Sequence, residues 1–222
     1  MKVPIIFGMV AGGFALVGGL IILAFKMDRK RTEELEAVAA ELGLEFDKDA
    51  DRSTSDVRSQ FDLFSKGRSR RSKNAIFGET NGTGVWIFDY RYTTGGGKNS
   101  TTHNQTVICF SSSQLDLPKF TLYREGMLSR IGSAMGMQDI DFDTHPDFSQ
   151  KYVLKGDSEM MIRETFHEDL LSFFETQDPN LRVEGNRDQL LLYRASRSVK
   201  PHAIKEFLAE GFNVFREFQP TV

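Results

Sequence analysis

Cysteine is nearly absent from this chain, since Cys109 is the only one among 222 residues. A lone cysteine excludes an internal disulfide and favours a reducing compartment. An excess of one sign of charge is also missing, because 28 basic and 31 acidic side chains leave a net charge of only -3. Such a weak global field argues against a nucleic-acid partner, so any electrostatic contact has to come from a local patch. Repeats and low-complexity segments are missing as well, and the ordinary composition predicts one globular domain.

Charge is missing altogether from Val3 to Phe25. A helix of this length crosses a hydrocarbon core of about 30 Å. The competing interpretation is a cleaved signal peptide, which needs a shorter apolar stretch followed by small residues. This stretch ends instead in LAFKMDRKR. We therefore predict a transmembrane anchor over residues 1–26 that contacts the bilayer through residues 3–25.

Charges that flank the apolar stretch predict its orientation. Lys2 precedes it, and four cations follow it: Lys26, Arg29, Lys30 and Arg31. Cationic flanks stay in the cytoplasm, so we expect a single-pass protein of the inner membrane with its N-terminus outside and its domain inside. Gly8 and Gly12 form a G-x-x-x-G pair that could pack two anchors into a homodimer. Glycine is also common in membrane helices without that role.

The chain after the anchor predicts a helix, a linker and one domain. An apolar stripe between Leu35 and Leu42 marks a juxtamembrane helix within residues 27–46. Its stripe is too short for a coiled coil, so it should dock on the domain or on the bilayer surface. Residues 47–57 are polar and predict a linker. The domain covers residues 58–222.

Within the domain, short alternating segments predict an antiparallel sheet. Five of these segments follow one another between residues 60 and 125, and a hairpin turns at Gly185–Asp188. Helices that begin at Asp157 or Ser158 and at Pro201 have apolar faces that could cover the sheet. The predicted fold class is α+β, with one antiparallel sheet and two covering helices.

Two stretches resemble binding motifs but have simpler interpretations. Four aromatic residues share one face of a strand: Trp86, Phe88, Tyr90 and Tyr92. We assign that face to the core rather than to base stacking, because no basic groove accompanies it. The stretch TTGGGKNSTTHNQTV, from Thr93, lacks the G-x-x-x-x-G-K-[ST] spacing of a phosphate-binding loop. It predicts a hairpin turn.

The most basic stretch is KGRSRRSK, which we place on a loop between the first two strands. Its cations could contact anionic lipid headgroups, and each charge near such a surface gains about 1 kcal/mol. A mobile solvated loop is the alternative. The candidate lipid- or anion-binding residues are Lys66, Arg68, Arg70, Arg71 and Lys73.

The segment QDIDFDTHPDF alternates acidic residues with other residues and contains a histidine, and these side chains could hold a metal ion. It departs from a calcium-binding EF-hand loop, because Thr144 and Gln150 stand where glycine and glutamate are required. The alternative is a strand whose acidic face meets solvent. The candidate metal ligands are Asp139, Asp141, Asp143 and His145, and they support a second functional hypothesis, a metal-dependent hydrolase.

Three segments, LPKFTLYREG, QDIDFDTHPDFSQKYVLKGDSE and MIRETFHEDLLSFFE, resemble a group of uncharacterised bacterial membrane proteins. The resemblance spans residues 60–215 and implies a single N-terminal span with a cytoplasmic domain. It supplies no catalytic residue, and the residues themselves show no catalytic constellation. We therefore predict a membrane-anchored binding or scaffolding module without a cofactor, which meets a protein partner at the membrane.

Overall fold

The computed structural model describes residues 3–126 and 138–220, with side chains described except at residues 3–18, 20, 21 and 138. The helices are α1 (Val3–Leu42), α2 (Ser55–Gln60), α3 (Pro146–Lys151), α4 (Glu159–Thr165), α5 (Glu168–Thr176) and α6 (Ile204–Glu217). The strands are β1 (Glu45–Asp47), β2 (Arg68–Thr80), β3 (Thr83–Thr94), β4 (Thr101–Ser111), β5 (Leu117–Arg124), β6 (Gln138–Asp139), β7 (Tyr152–Gly156), β8 (Leu181–Arg187) and β9 (Gln189–Arg194). Short 3-10 turns lie at Asp62–Ser65, Gly97–Asn99 and Pro201–Ala203.

In the part of the chain that the structure describes, the strands form one sheet in the order β1-β2-β3-β4-β9-β8-β5-β7-β6. Every neighbouring pair is antiparallel. The predicted antiparallel α+β class is confirmed in this respect. The glycine-rich stretch joins β3 to β4, whose last pair is Thr94 with Thr101, so it is a hairpin turn as predicted.

The main core lies between one face of the sheet and the helices. Helix α6 illustrates this, because Ile204, Phe207, Val214 and Phe215 recur at helical spacing and are buried in the core. Gly211 lets α6 come close to β4, since a Cβ there would lie 3.1 Å from the ring of Phe110. Buried residues from five helices contribute to this core, among them Leu35, Val38 and Ala39 of α1, Phe148 of α3, Ile162 of α4, Leu170 and Phe174 of α5, and Phe207, Val214 and Phe215 of α6.

A second, smaller core covers the opposite face of the sheet. Residues 49–65 lie over β3 and β4 there and bury Val57, Phe61, Leu63 and Phe64. The predicted assignment of the aromatic face of β3 is confirmed, because Phe88, Tyr90 and Tyr92 are buried in this core and Trp86 is half-buried against it. Cys109 is also buried here. Burial raises the pKa of its thiol, which makes it inert as expected.

Three local predictions need correction. Residues 47–57 pack on the sheet instead of forming a free linker, because Ala50, Thr54 and Val57 are buried. The first predicted strand, QFDLFSKG, is the end of α2 followed by a 3-10 turn, and its alternating apolar residues cap the second core. The helix predicted from Asp157 divides into α4 and α5, because His167 starts a new helix by accepting the Leu170 amide at its Nδ1.

The predicted transmembrane anchor over residues 1–26 is wrong: within the residues that the structure describes, no helix is both long and apolar enough to cross a membrane. The side chains of α1 are described at residue 19 and from residue 22 onward, and from Lys26 onward charged residues are frequent among them. The predicted inner-membrane location and orientation depended on that anchor and are wrong with it. The predicted packing of Gly8 with Gly12 lies outside the described side chains, as do residues 3–18, 20 and 21 of the predicted bilayer contact.

The buried phenol of Tyr90 should make the fold sensitive to alkali. Burial raises the pKa of Tyr90 to about 12, whereas an unfolded tyrosine titrates near 10. Because the folded pKa is the higher one, this group's contribution is fully present below pH 10 and is lost as the pH rises toward 12. Between pH 9.5 and 11 the loss from Tyr90 alone should be about 1 kcal/mol.

Replacing Tyr90 with phenylalanine tests this, since the Tyr90 hydroxyl makes only a long 3.4 Å hydrogen bond to the carbonyl of Phe64. We expect Y90F to lose about 1 kcal/mol less than the unmodified protein when urea unfolding is compared at pH 9.5 and pH 11. Identical pH dependence in the two proteins would contradict the assignment.

Candidate binding cavity beside the first helix

Charged side chains gather on the main-core face of β2, β3 and β4, beyond the area that the helices cover. Cross-strand pairing aligns Lys73 with Asp89 and Asp89 with Thr106. One step farther along the strands, Arg71 pairs with Arg91, and Arg91 with Asn104. Directly paired residues share a face, so two parallel rows of polar side chains cross this end of the sheet.

Asp89 is tied to α1 by a two-point ion pair with Arg31. Arg31 Nε donates to Asp89 Oδ2 at 2.8 Å, and Arg31 Nη2 donates to Oδ1 at 2.6 Å. A third donor, Arg31 Nη1, reaches the carbonyl of Val199 at 2.9 Å. Burial lowers the pKa of the Arg31 guanidinium, but the hydrogen bonds and charge of Asp89 outweigh this, so the net pKa is raised. The ion pair therefore holds α1 against the sheet.

Two neutral side chains complete this network around Asp89. Asn74 Nδ2 donates to Asp89 Oδ2 at 3.0 Å and its Oδ1 accepts from the hydroxyl of Thr32 at 2.9 Å. Asn74 adopts a φ of 53°, a left-handed conformation that asparagine tolerates better than most residues. Thr106 Oγ1 donates to Asp89 Oδ1 at 3.1 Å and accepts from the Val199 amide at 2.9 Å. We call these residues the Asp89 network: Arg31, Thr32, Asn74, Asp89 and Thr106.

A cavity of about 170 Å³ opens next to the Asp89 network. Lys73 is already paired within it, since its Nζ lies 2.7 Å from Asp28 Oδ2. Arg71 approaches only the exposed Asp49, at 3.7 Å. Arg91 forms no ion pair with any described residue. The charged and amide residues that line the cavity are Asp28, Arg31, Arg71, Lys73, Asn74, Asp89, Arg91, Asn104 and Gln105.

No family model and no curated protein matches this chain. A solved structure does: the crystal structure of the mycobacterial trehalose monomycolate transport factor A, TtfA. The chain is similar in fold to TtfA. The TM-score is 0.61 at 13% sequence identity, over 87% of this chain and 98% of the TtfA chain.

At this identity the likeness to TtfA establishes a shared fold and nothing about residues. The two proteins share an arrangement of strands and helices over most of their length. The predicted resemblance to a family of bacterial membrane proteins is not tested by this match and stays a prediction.

Four of the five residues of the predicted basic loop lie on β2 instead, and the five do not act as one group. Of these four, Arg71 and Lys73 face the cavity. Arg70 instead donates to the carbonyl of Phe64 at 2.9 Å, and Arg68 donates to the carbonyl of Gly95. Lys66 lies beside Arg68 at a separate surface depression. The alternation of side chains along a strand separates Arg70 from Arg71 and Lys73. Lipid contact through these residues stays an untested prediction.

The predicted acidic metal site is distributed over three elements. Asp139 ends β6, Asp141 and Asp143 lie in the exposed stretch after it, and His145 precedes α3. Burial and the nearby charge of Asp141 raise the pKa of Asp139. Among the described residues, no group of three or more histidine, cysteine or acidic side chains is placed to hold a metal ion. Metal binding here stays a prediction without structural support.

The sequence did not predict four residues of this site: Arg31, Asn74, Asp89 and Arg91. One signal was available, because Asp89 follows Val85 and Ile87 on the face of β3 that enters the main core. A carboxylate at such a position needs a cation nearby. Its partner Arg31 is separated from it by 58 positions in the chain, however, and no local pattern connects the two.

Proposed function

We propose that this protein is a binding or scaffolding module that docks a partner protein on an exposed arm of α1. The arm is residues 22–30, and every one of them is exposed. Four large apolar side chains on it remain 54% to 71% exposed: Ile22, Leu23, Phe25 and Met27. Apolar groups clustered in this way on a surface indicate an interaction site. This exposed cluster is the observation on which the proposal depends.

The arm is suited to docking because the domain holds its base firmly. Directly after the arm, Arg31 and Thr32 engage the Asp89 network. Leu35, Val38 and Ala39 then bury the following turns against the sheet. Because α1 is one continuous helix through both parts, the arm leaves the domain at a defined place. A partner therefore meets a preorganised element, which reduces the entropy lost on binding.

Charge suggests the character of the partner surface. Lys26, Arg29 and Lys30 lie on the arm among its apolar residues. Arg29 and Lys30 form exposed pairs with Glu33 and Glu34, which contribute little, so these cations can exchange partners. The complementary surface would be apolar and bordered by carboxylates. The structural neighbour TtfA is described as a transport factor, and a binding module in this chain is consistent with that description.

Site-specific crosslinking in the native cell tests the proposal. A photoreactive residue would replace Phe25 in the full-length chain, and a second chain would have it at Met160, which is 76% exposed on α4. We expect discrete protein adducts from position 25, abolished when Ile22, Leu23 and Met27 become glutamine, and none of the same size from position 160. The substitutions should leave the melting temperature unchanged, because exposed side chains contribute little to stability.

Two outcomes would overturn the proposal. One is an adduct pattern at position 25 that matches position 160. The other is flotation of the purified chain with protein-free liposomes that disappears in the glutamine variant, because the arm would then have lipid as its partner. The second hypothesis from the sequence, a metal-dependent hydrolase, gains no observation from the described residues.

A further inference from the structure

Two like charges face each other at the cavity beside α1. Arg71 on β2 and Arg91 on β3 are direct cross-strand partners, and both line the cavity. Side chains in such pairs stand about 5 Å apart, and like charges placed directly opposite each other destabilise a sheet. An anion bound between the two guanidinium groups would turn this repulsion into attraction.

The other charges around the cavity are already balanced. Asp89 pairs with Arg31 at 2.6 Å, and Asp28 pairs with Lys73 at 2.7 Å. The remaining contact, Arg71 with Asp49, is 3.7 Å long between side chains that are 50% and 77% exposed, and such a pair contributes little. Arg71 and Arg91 therefore give the cavity two positive charges that the described residues do not neutralise.

The donors around the cavity match one chemical group. Guanidinium groups offer paired N–H donors whose spacing fits phosphate and carboxylate oxygens. Asn104, the cross-strand neighbour of Arg91, also lines the cavity and adds an amide donor at the end of the row. Three donors suit the three free oxygens of a phosphate monoester, and its charge of about -1.5 to -2 at pH 7 balances two arginines. A carboxylate has one charge and two oxygens, so it would balance less of the positive charge and accept fewer hydrogen bonds from Arg71, Arg91 and Asn104.

The backbone of β2 fixes the position of Arg71 in this row of Arg71, Arg91 and Asn104. β2 has a bulge on each side of the Arg71–Lys73 segment, and the first of them includes Ser69 at a φ of 53°. The backbone amide of Ser72, between the two cavity residues, donates to Asp51 Oδ1 at 2.8 Å. Bulges often occur where a strand directs side chains into a site.

We propose that this cavity binds a phosphate group through Arg71, Arg91 and Asn104. The site is separate from the exposed apolar residues of the arm, so it stands or falls independently of the proposed docking function. Three sources share this chemistry: free inorganic phosphate, a phosphorylated protein side chain and a glycerophosphate headgroup.

Calorimetric titration of the full-length chain at constant ionic strength tests the site. The probes are inorganic phosphate, O-phosphoserine and glycerol 1-phosphate, with sodium chloride and acetate as controls. We expect one-to-one saturable binding of phosphate compounds. The probe with the lowest Kd identifies which of the three sources supplies the phosphate group. R71Q and R91Q should each weaken it at least about tenfold, because each removes a charge-assisted hydrogen bond. The exposed Arg52, outside the cavity lining, provides the matched control R52Q, which should bind as the unmodified protein does.

A second measurement separates binding from folding. In phosphate-free buffer R91Q should melt at the same temperature as the unmodified protein or higher, because it removes the repulsion with Arg71. Added phosphate should then raise the melting temperature of the unmodified protein and R52Q but not that of R91Q. Binding weaker than about 10 mM for all three probes, or equal binding by R91Q and R52Q, would overturn the proposal.

Discussion

Replacing Asp89 with alanine should lower the free energy of unfolding by about 3 kcal/mol. The change leaves Arg31 without its two-point partner in a place where its side chain is only 22% exposed. It also removes the hydrogen-bond acceptor of Asn74 and of Thr106. Breaking one side of a buried ion pair costs more than the pair contributes, because the remaining charge stays desolvated. The measurement is urea unfolding of the full-length chain.

Two further variants show whether the cost comes from the stranded charge. The double variant R31M/D89L replaces the pair with apolar side chains and should recover at least half of the loss, since a buried pair is often no better than apolar packing. As the matched control, D62A breaks the half-exposed pair between Asp62 and Lys119 and should cost less than about 1 kcal/mol. A D89A protein as stable as D62A would show that the Asp89 network does not hold α1.

Replacing Phe148 with alanine should have the largest effect on stability, a loss of about 4 kcal/mol. Phe148 is fully buried, with 0% of its surface exposed. Its ring lies within 5.3 to 6.5 Å of four others, counted between centroids, and truncation leaves a cavity that these rigid rings cannot fill. The rings belong to Phe142, Tyr152, Phe166 and Phe174.

Phe212 provides the matched comparison for Phe148. It is also a phenylalanine in an aromatic cluster, but it is half-buried and packs at the edge of the main core. F212A should therefore cost less than half as much as F148A in the same urea titration, because less apolar surface returns to water. Equal losses would contradict the view that complete burial among four rings makes Phe148 the more costly residue to truncate.

The sequence predicted elements whose pattern is local. The alternation in β3 correctly placed Phe88, Tyr90 and Tyr92 in a core, and the glycines after Thr94 correctly predicted a turn. The same pattern misled for residues 60–67: Phe61 and Leu63 alternate like a strand, but Phe61 lies between α2 and a 3-10 turn, and Leu63 lies in that turn. Alternation of apolar residues indicates which side chains are buried. A short turn that lies over a core can bury every second side chain, as a strand does.

The cavity and the Asp89 network could not be predicted, because they depend on contacts between distant parts of the chain. The basic stretch was visible in the sequence, but it was placed on a loop, whereas it lies on a strand that sends Arg71 and Lys73 to one face and Arg70 to the other. Arg91 is identified as a site residue only by the strand register, which places it opposite Arg71. Hydropathy alone also predicted a membrane anchor, which the described residues contradict.

The pairing of β4 with β9 has a consequence for how the protein is made. This pairing joins a meander of strands from the first half of the chain to those of the second half, through Val107–Ser111 and Gln189–Tyr193. A chain synthesised from its N-terminus can form β1 to β4 early, but one edge of β4 then has no neighbour. Unpaired edges of this kind invite aggregation. The apolar centre of the sheet is therefore exposed to wrong partners until the ribosome has added β9.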